Sequence, residues 1–174
     1  MRAFLGIDTG PFTPSADDRS PPHVTLRFLG DVDAERLERV IAAIPAAASS
    51  VAPFDLALGG VGAFPSPEHP RVVWLGVQQG AVEVVRLAGQ VNDALAPIGW
   101  PPEPGAFVPH VTLFRVRSPR DRRRAADLLQ GRESLPSPPA VRVRAVALKE
   151  SRLGPNGAEH RIVREFPLGD GDLV

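Results

Sequence analysis

The chain contains no cysteine among its 174 residues. Disulfide bonds, thiolate nucleophiles and thiolate metal ligands are therefore excluded. The chain also has no net charge, because its 20 basic side chains balance its 20 acidic ones. Bulk charge thus gives no reason to expect binding to long nucleic acids or to an anionic membrane surface. Any affinity for a phosphate group has to come from a local arrangement of side chains.

Long apolar runs are missing too. No segment approaches membrane-spanning length. The apolar run within residues 1–8 is too short for the core of a signal peptide and has no small-residue cleavage pattern. We therefore expect a cytoplasmic protein. Its 43% hydrophobic content is enough to bury one substantial core, in one domain or in two tightly joined lobes.

A repeated pentapeptide is the most informative feature that the sequence does have. Residues 22–26 and residues 109–113 both read PHVTL, and together they hold two of the four histidines. Such a match indicates an internal duplication. Val, Thr and Leu favour strands, and in a strand the His and Thr of each copy share one face while the Val and Leu share the other. Each copy is predicted to present His and Thr to a cleft.

The doubling changes how each His-x-Thr is interpreted. A single copy is usually a surface feature or a hydrogen-bonded structural one. If a pseudo-twofold relates the two halves, however, His23 and His110 lie on opposite sides of one groove, where paired imidazoles can transfer protons near neutral pH. Thr25 and Thr112 then share those faces, where their hydroxyls can donate hydrogen bonds to an anionic substrate.

Hydrophobic periodicity predicts short strands and three helices. The predicted helices run from the N-cap Asp33 to Pro45, from Ala81 to Ala96, and from the cap Ser118 and Pro119 to a stop at Gly131. The predicted strands are Arg2–Asp8, His23–Leu29, Phe54–Leu58, Arg71–Val77, Pro109–Arg117, Val141–Leu148 and Glu159–Phe166. Two strand-helix units are thus each led by His-Val-Thr-Leu.

These stretches resemble the two-histidine (2H) phosphoesterases, and among them the LigT-like RNA 2′,3′-cyclic phosphodiesterases. Residues 23–30 read HVTLRFLG, residues 107–113 read FVPHVTL, and the opening residues 2–8 read RAFLGID. Residues 60–65, 71–77 and 151–166 are similar to further characteristic stretches of the family. The resemblance therefore extends over nearly the whole chain.

The resemblance implies an α+β fold. We expect one bilobal domain over residues 1–174, with two pseudo-symmetric antiparallel sheets flanking a central cleft and helices on the outer faces. It also implies metal-independent hydrolysis of RNA 2′,3′-cyclic phosphate ends to 2′-phosphates, with no cofactor. His23 is the implied proton donor to the leaving oxygen, and His110 is the implied proton acceptor that activates water. From the residues alone the two roles can be exchanged.

The sequence departs from the family pattern in three places. Only residues 9–22 separate the first strand from the first motif, so the family's first helix is expected to be missing. The family often has an aromatic residue where His160 stands, and often a basic residue near Val108. Both His160 and His69 are expected to be surface residues.

Three further side chains are candidates for substrate binding. Arg27 lies four residues after His23 and shares its predicted face, where it either neutralises a phosphate or is an ordinary exposed arginine. Arg115 has the wrong parity relative to His110 unless a bulge intervenes, which favours a salt bridge on the back face. Phe64, in a Gly/Pro-rich loop, either stacks on a base or packs in the core, whereas core packing is expected of Trp74.

Other functions remain open from sequence alone. A noncatalytic module that binds the terminal phosphate of RNA would use the same His and Thr side chains, as would a 2H enzyme acting on another cyclic phosphodiester or on a 2′-5′ linkage. A metal site at His23 and His110 is disfavoured, because zinc usually takes three protein ligands and neither motif has a neighbouring carboxylate. The expected partners are RNA ends or small nucleotide cyclic phosphates. We expect the protein to be a monomer that does not bind a membrane.

Overall fold

A computed structural model describes residues 1–11, 21–154 and 157–170 of the chain. The strands in this part are β1 (Arg2–Asp8), β2 (His23–Asp31), β3 (Phe54–Pro65), β4 (Pro70–Gln79), β5 (His110–Arg115), β6 (Val141–Val143), β7 (Ala145–Gly154) and β8 (Gly157–Pro167). The helices are α1 (Ala34–Ser49), α2 (Ala81–Leu95) and α3 (Pro119–Leu129), and a 3-10 turn, Ala96–Ile98, follows α2.

The described strands form one antiparallel sheet in the order β6-β3-β4-β5-β2-β1-β7-β8. The expectation of an α+β fold is confirmed, but the expectation of two separate sheets is wrong. Its two four-stranded halves are joined between β2 and β5 by the pair Val24 and Val111. The duplicated motif therefore forms the junction of the sheet.

The sheet is curled. β6 lies at one edge and pairs with β3, whereas β7 lies between β1 and β8 near the opposite edge. Only Arg144 separates these two strands along the chain. The sheet has to curl so that its ends approach each other. The same crossing explains why residues 141–148, predicted as one strand, are two.

One face of the sheet carries the hydrophobic core and the helices. Side chains of α1 and α2, including Ile44 and Leu87, are in one buried cluster with Val24 and Val111. Val24 and Val111 are 0% and 1% exposed. The motif histidines and threonines alternate with these residues and are half-buried on the other face.

Two predicted boundaries are wrong for packing reasons. Helix α1 continues through Pro45 to Ser49, because Ala47 and Ala48 in its last turn are buried against the core. Strand β3 continues through the glycine-rich stretch to Pro65. A Cβ atom at Gly62 would overlap the indole of Trp74 on β4, so the glycine is what lets the strand pass beneath this ring.

Other predictions are confirmed. Strand β1 has the expected limits, and Asp33 caps α1 by accepting a hydrogen bond from the backbone N–H of Arg36. Ser118 and Asp121 form a capping box at α3. The expected loss of the first family helix falls on residues 9–22, most of which lie outside the described residues. No helix in the described ranges is long and apolar enough to cross a membrane.

Candidate active site

The two His-x-Thr motifs meet on the open face of the sheet. In the antiparallel register set by Val24 and Val111, His23 lies across from Thr112, and Thr25 lies across from His110. All four of these polar side chains are half-buried. The structure therefore brings together the four residues that the repeat predicted.

Backbone carbonyls hold both imidazoles in the same way. The Nδ1 atom of His23 lies 3.1 Å from the carbonyl oxygen of Pro21, and that of His110 lies 2.7 Å from the carbonyl oxygen of Val108. A carbonyl accepts, so Nδ1 carries the proton in both rings. Nε2 is then the nitrogen of each ring that can transfer a proton, as an acceptor when the ring is neutral and as a donor when it is charged.

His110 lies among aromatic rings. The Phe64 ring meets it edge-on with centroids 4.9 Å apart, and the Trp74 ring is 5.8 Å away. Burial lowers the pKa of His110 from its usual 6.5, although the hydrogen bond to Val108 acts in the opposite direction. His110 is thus favoured as a neutral imidazole at neutral pH, the form that a base requires.

His23 has different neighbours. Its ring centroid lies 4.8 Å from that of Phe4 and 4.8 Å from that of His160. On strand β1 its register partner is Asp8, whose carboxylate is bound by Nζ of the buried Lys149. The two motif histidines are therefore related by position but have different neighbours: Phe4, His160 and the Asp8–Lys149 ion pair near His23, and Phe64 and Trp74 near His110.

Matching bulges follow the two motifs. On β2, Thr25 pairs with Gly6 and Arg27 pairs with Leu5, so Leu26 is the extra residue. On β5, Thr112 pairs with Trp74 and Phe114 pairs with Val73, so Leu113 is the extra residue. Each bulge reverses the facing of the side chains that follow it. Parity counted from the histidines fails beyond this point.

The first bulge removes Arg27 from the histidine face, so the prediction that it shares the face of His23 is wrong. Its side chain is only 6% exposed, and its register partner on β1 is Leu5, which is buried in the core. The guanidinium donates to Oδ1 of Asn92 at 2.7 Å and to the carbonyl oxygen of Pro101 at 2.5 Å, with Glu103 at 3.7 Å. Arg27 connects the sheet to α2 and the loop after it.

The second bulge moves Arg115 onto the histidine face. Arg115 was predicted to face the back of the sheet, in a salt bridge, unless a bulge intervened. The bulge is present, and the strand register places Arg115 on the histidine face instead. Arg115 is exposed and pairs with Val72, which in turn pairs with Phe64. Phe64 itself contacts His110 and lies 5.2 Å from Trp74. Arg115 therefore lies on the same face as Phe64, in the same row across β3, β4 and β5.

Several residues of this face were missed by the sequence analysis. His160, expected at the surface, is half-buried and contacts Phe4 as well as His23. Trp74, expected in the core, covers Gly62 next to His110. In the structure His160 pairs with Ser151, two places along β7 from Lys149. This register depends on contacts distant in sequence.

His69 and the arginines of helix α3 are not part of the two motifs. His69 is exposed in the turn between β3 and β4, as expected. The arginines of residues 120–124 lie on α3, where Arg124 covers the Phe114 ring at 5.0 Å and the other three are exposed. Within the described ranges, no group of three or more His, Cys, Asp or Glu side chains is placed to hold a metal ion.

Known proteins resemble this chain in sequence and in fold. The family model for the 2′-5′ RNA ligase superfamily matches residues 10–154. An Aeropyrum pernix protein named RNA 2′,3′-cyclic phosphodiesterase is 37% identical over 154 residues, which cover 87% of this chain and 85% of the relative. An Archaeoglobus fulgidus protein of the same name is 37% identical over 83% of this chain and 78% of the relative.

Solved structures share the fold over nearly the full length. A Thermus thermophilus protein superposes with a TM-score of 0.72 at 25% identity, over 99% of this chain and 100% of its own. The structure of E. coli LigT complexed with 3′-AMP has a TM-score of 0.70 at 24% identity, over 96% of this chain and 97% of its own. The resemblance to the 2H phosphoesterases is thus confirmed, and the chain belongs to the 2′-5′ RNA ligase superfamily.

Proposed function

We propose that this protein hydrolyses the 2′,3′-cyclic phosphate at RNA ends to a 2′-phosphate, without a metal ion. The observation that carries the proposal is the pair of imidazoles on one face, each with Nδ1 bound to the carbonyl two residues earlier. Relatives named RNA 2′,3′-cyclic phosphodiesterase, 37% identical over most of the chain, support the choice of substrate.

In-line hydrolysis needs a base and an acid on opposite sides of phosphorus. The water oxygen attacks phosphorus while Nε2 of His110 takes a water proton. The bond from phosphorus to the ribose 3′ oxygen breaks, and Nε2 of His23 gives its proton to that oxygen. Each positioned proton transfer contributes about 10²–10⁴ in rate. The cycle begins with one neutral and one charged ring, and its product is the 2′-phosphate.

The environment of His110 supports its assignment as the base. Burial beside Phe64 and Trp74 lowers the pKa of His110 and favours the neutral base. His23 is the register partner of Asp8 on β1, and Lys149 binds the carboxylate of Asp8. The role of proton donor then falls to His23, the other imidazole on this face.

The phosphate is held by groups around the two rings. Thr25 and Thr112 donate hydroxyl hydrogen bonds to the nonbridging oxygens, where charge develops in the transition state. The Arg115 guanidinium, brought to this face by the Leu113 bulge, adds a positive charge and a planar donor fork. Phe64 borders the site on the His110 side.

The test is a product assay with a short 5′-labelled RNA that ends in a 2′,3′-cyclic phosphate. A 2′-phosphate end, resistant to a 3′-phosphatase, is the expected product, and a strong chelator leaves the rate unchanged. A 3′-phosphate product would reverse the orientation of the substrate and the roles of the two histidines. Binding of the RNA end without turnover would support the noncatalytic alternative instead. Cleavage of a 2′-5′ linkage in preference to the cyclic end would replace the proposed substrate.

A further inference from the structure

Lys149 is a buried cation on the open face of the sheet. Its register partner on β1 is Phe4, the ring that contacts His23, and its own side chain is only 3% exposed. The Nζ atom binds Oδ1 of Asp8. The proposed reaction uses neither Lys149 nor Asp8, although both lie on the face that holds the two motif histidines.

The lysine side chain reaches Asp8 across the smallest side chains of this face. Gly6 and Ala147 form the strand pair that lies between Lys149 and Asp8 on the sheet. On its other side, Gly6 pairs with Thr25 of the first motif. The lysine stem therefore has room to lie over Gly6 and Ala147, and it brings the ammonium group to the strand next to the motif.

Asp8 lies directly across from His23 in the ladder of β1 and β2. The Cβ atoms of such a pair are about 4.5–5.5 Å apart. The side chain of Asp8 is also 40% exposed on the open face. A lone carboxylate at this position would hold the proton on the charged His23 ring, in competition with the leaving oxygen, and would repel the anionic phosphate.

Stability alone gives little reason for this ion pair. Removing two opposite charges from water costs about as much as their attraction returns, and an apolar pair of similar volume often stabilises a protein equally well. What distinguishes the pair of Lys149 and Asp8 is its position, next to the proton donor of the proposed reaction.

Further charged or titratable groups face His23 from the strands around it. They are His110 and Arg115 on β5 and His160 on β8, with Glu165 on β8 two strands beyond β1. The first three are neutral or positive. The negative charge that the donor meets at close range is therefore that of Asp8.

We propose that Lys149 is a positioning residue for the reaction: it holds the carboxylate of Asp8 and cancels its charge next to His23. The donor can then release its proton to the leaving oxygen, and the phosphate meets no net negative charge from this ion pair. The inference rests on the proposed function and extends it to a buried side chain two strands away from the motif.

The experiment is a charge cycle of Asp8 and Lys149, with hydrolysis of adenosine 2′,3′-cyclic phosphate measured as a function of pH. Lys149→Met keeps the length of the side chain but leaves Asp8 unpaired. We expect kcat/KM to fall about 10-fold, because the carboxylate then repels the phosphate. The basic limb of the pH profile, where the donor loses its proton, should move up by about one pH unit.

The other two variants of the cycle determine the sign of the effect. Asp8→Asn keeps the side-chain shape and leaves the lysine charge alone, so the basic limb should move to lower pH. The double variant with Asp8→Asn and Lys149→Met removes both charges. It should return the basic limb to the parental position and recover most of the lost rate.

A matched control separates this effect from the loss of any ion pair. Asp127→Asn removes the carboxylate that binds Arg132 at 2.8 Å, after helix α3, and should leave the pH profile unchanged. Circular dichroism and thermal denaturation show which variants are folded. If Lys149→Met does not fold, Asp8→Asn and the double variant decide the question, because the limb must move down in the first and return in the second.

The failures are distinguishable. A parent protein that does not hydrolyse the cyclic phosphate would overturn the proposed function, and the inference with it. Folded variants that lose rate while the basic limb stays fixed would show that the ion pair is merely structural. A double variant as slow as Lys149→Met would show that the lysine does not act through Asp8, which also overturns the inference.

Discussion

Leu26 and Leu113 are equivalent bulged residues, each directly after the threonine of its motif. Both side chains are buried, at 3% and 2% exposure. The bulges come after the His and Thr of each motif, so these side chains stay on the open face. The two side chains after each bulge point to the opposite face from the one that simple alternation predicts. On the open face the result is Phe28 in one half and Arg115 in the other. The duplicated motif thus produces an asymmetric site.

Substitution of Arg115 should affect catalysis, whereas substitution of Arg27 should affect stability. Arg115→Ala is expected to lower kcat/KM by about 10- to 100-fold without a change in thermal stability, since it removes a hydrogen bond to a charged phosphate from an exposed position. Arg115→Lys should recover part of the loss, because it keeps the charge and not the planar fork. Steady-state kinetics and thermal denaturation measure the two effects.

Arg27→Met should mainly affect stability. It leaves Oδ1 of Asn92 and the carbonyl of Pro101 without their donor. The free energy of unfolding is expected to fall by about 1–3 kcal/mol, measured by urea denaturation. A fully stable Arg27→Met protein that has lost turnover would show instead that Arg27 acts on the substrate, and the bulge account of its facing would be wrong.

The pH dependence of kcat/KM should be bell-shaped, because one imidazole starts neutral and the other charged. The lowered pKa of His110 puts the acidic limb below its usual 6.5, since the base is active only above its own pKa. Phe64→Ala exposes His110 to water and should shift that limb upward towards 6.5. An acidic limb above 6.5 in the parent would contradict His110 as the buried base.

Removing the threonine hydroxyls should cost less than removing the imidazoles. Thr25→Val and Thr112→Val keep the side-chain shape and each lose one hydrogen bond to the phosphate, for an expected loss of about 10-fold in kcat. Thr25→Ser and Thr112→Ser retain the hydroxyl and should retain most of the rate. Equal losses in the Val and Ser variants would indicate that the threonines pack rather than donate.

The sequence was sufficient to predict the parts that depend on local pattern. Strand β1 and the Ser118 cap of α3 agree with the structure because alternation and capping are short-range. The shared face of His23 and Thr25 was predictable for the same reason. A period of two holds as long as no extra residue enters the strand.

What failed depends on partners distant in sequence. The residues around Leu26 and Leu113 do not predict a bulge, because each bulge is defined by the pairing of its strand with β1 or β4. The two halves were expected to be separate sheets because the pair Val24 and Val111 that joins them is a tertiary contact. His160 was placed at the surface because its approach to His23 requires the register of β7 and β8.

Paired histidine catalysis is tested most directly by the double-mutant cycle of His23→Ala and His110→Ala, with turnover of an RNA 2′,3′-cyclic phosphate as the readout. Both residues face the open side of the sheet, so each variant should remain folded by circular dichroism. Each single variant is expected to lose at least about 10²-fold, and the double variant should be little worse than the poorer single one, because the two rings act as one unit. Folded single variants that hydrolyse the cyclic phosphate at close to the parental rate would contradict the account.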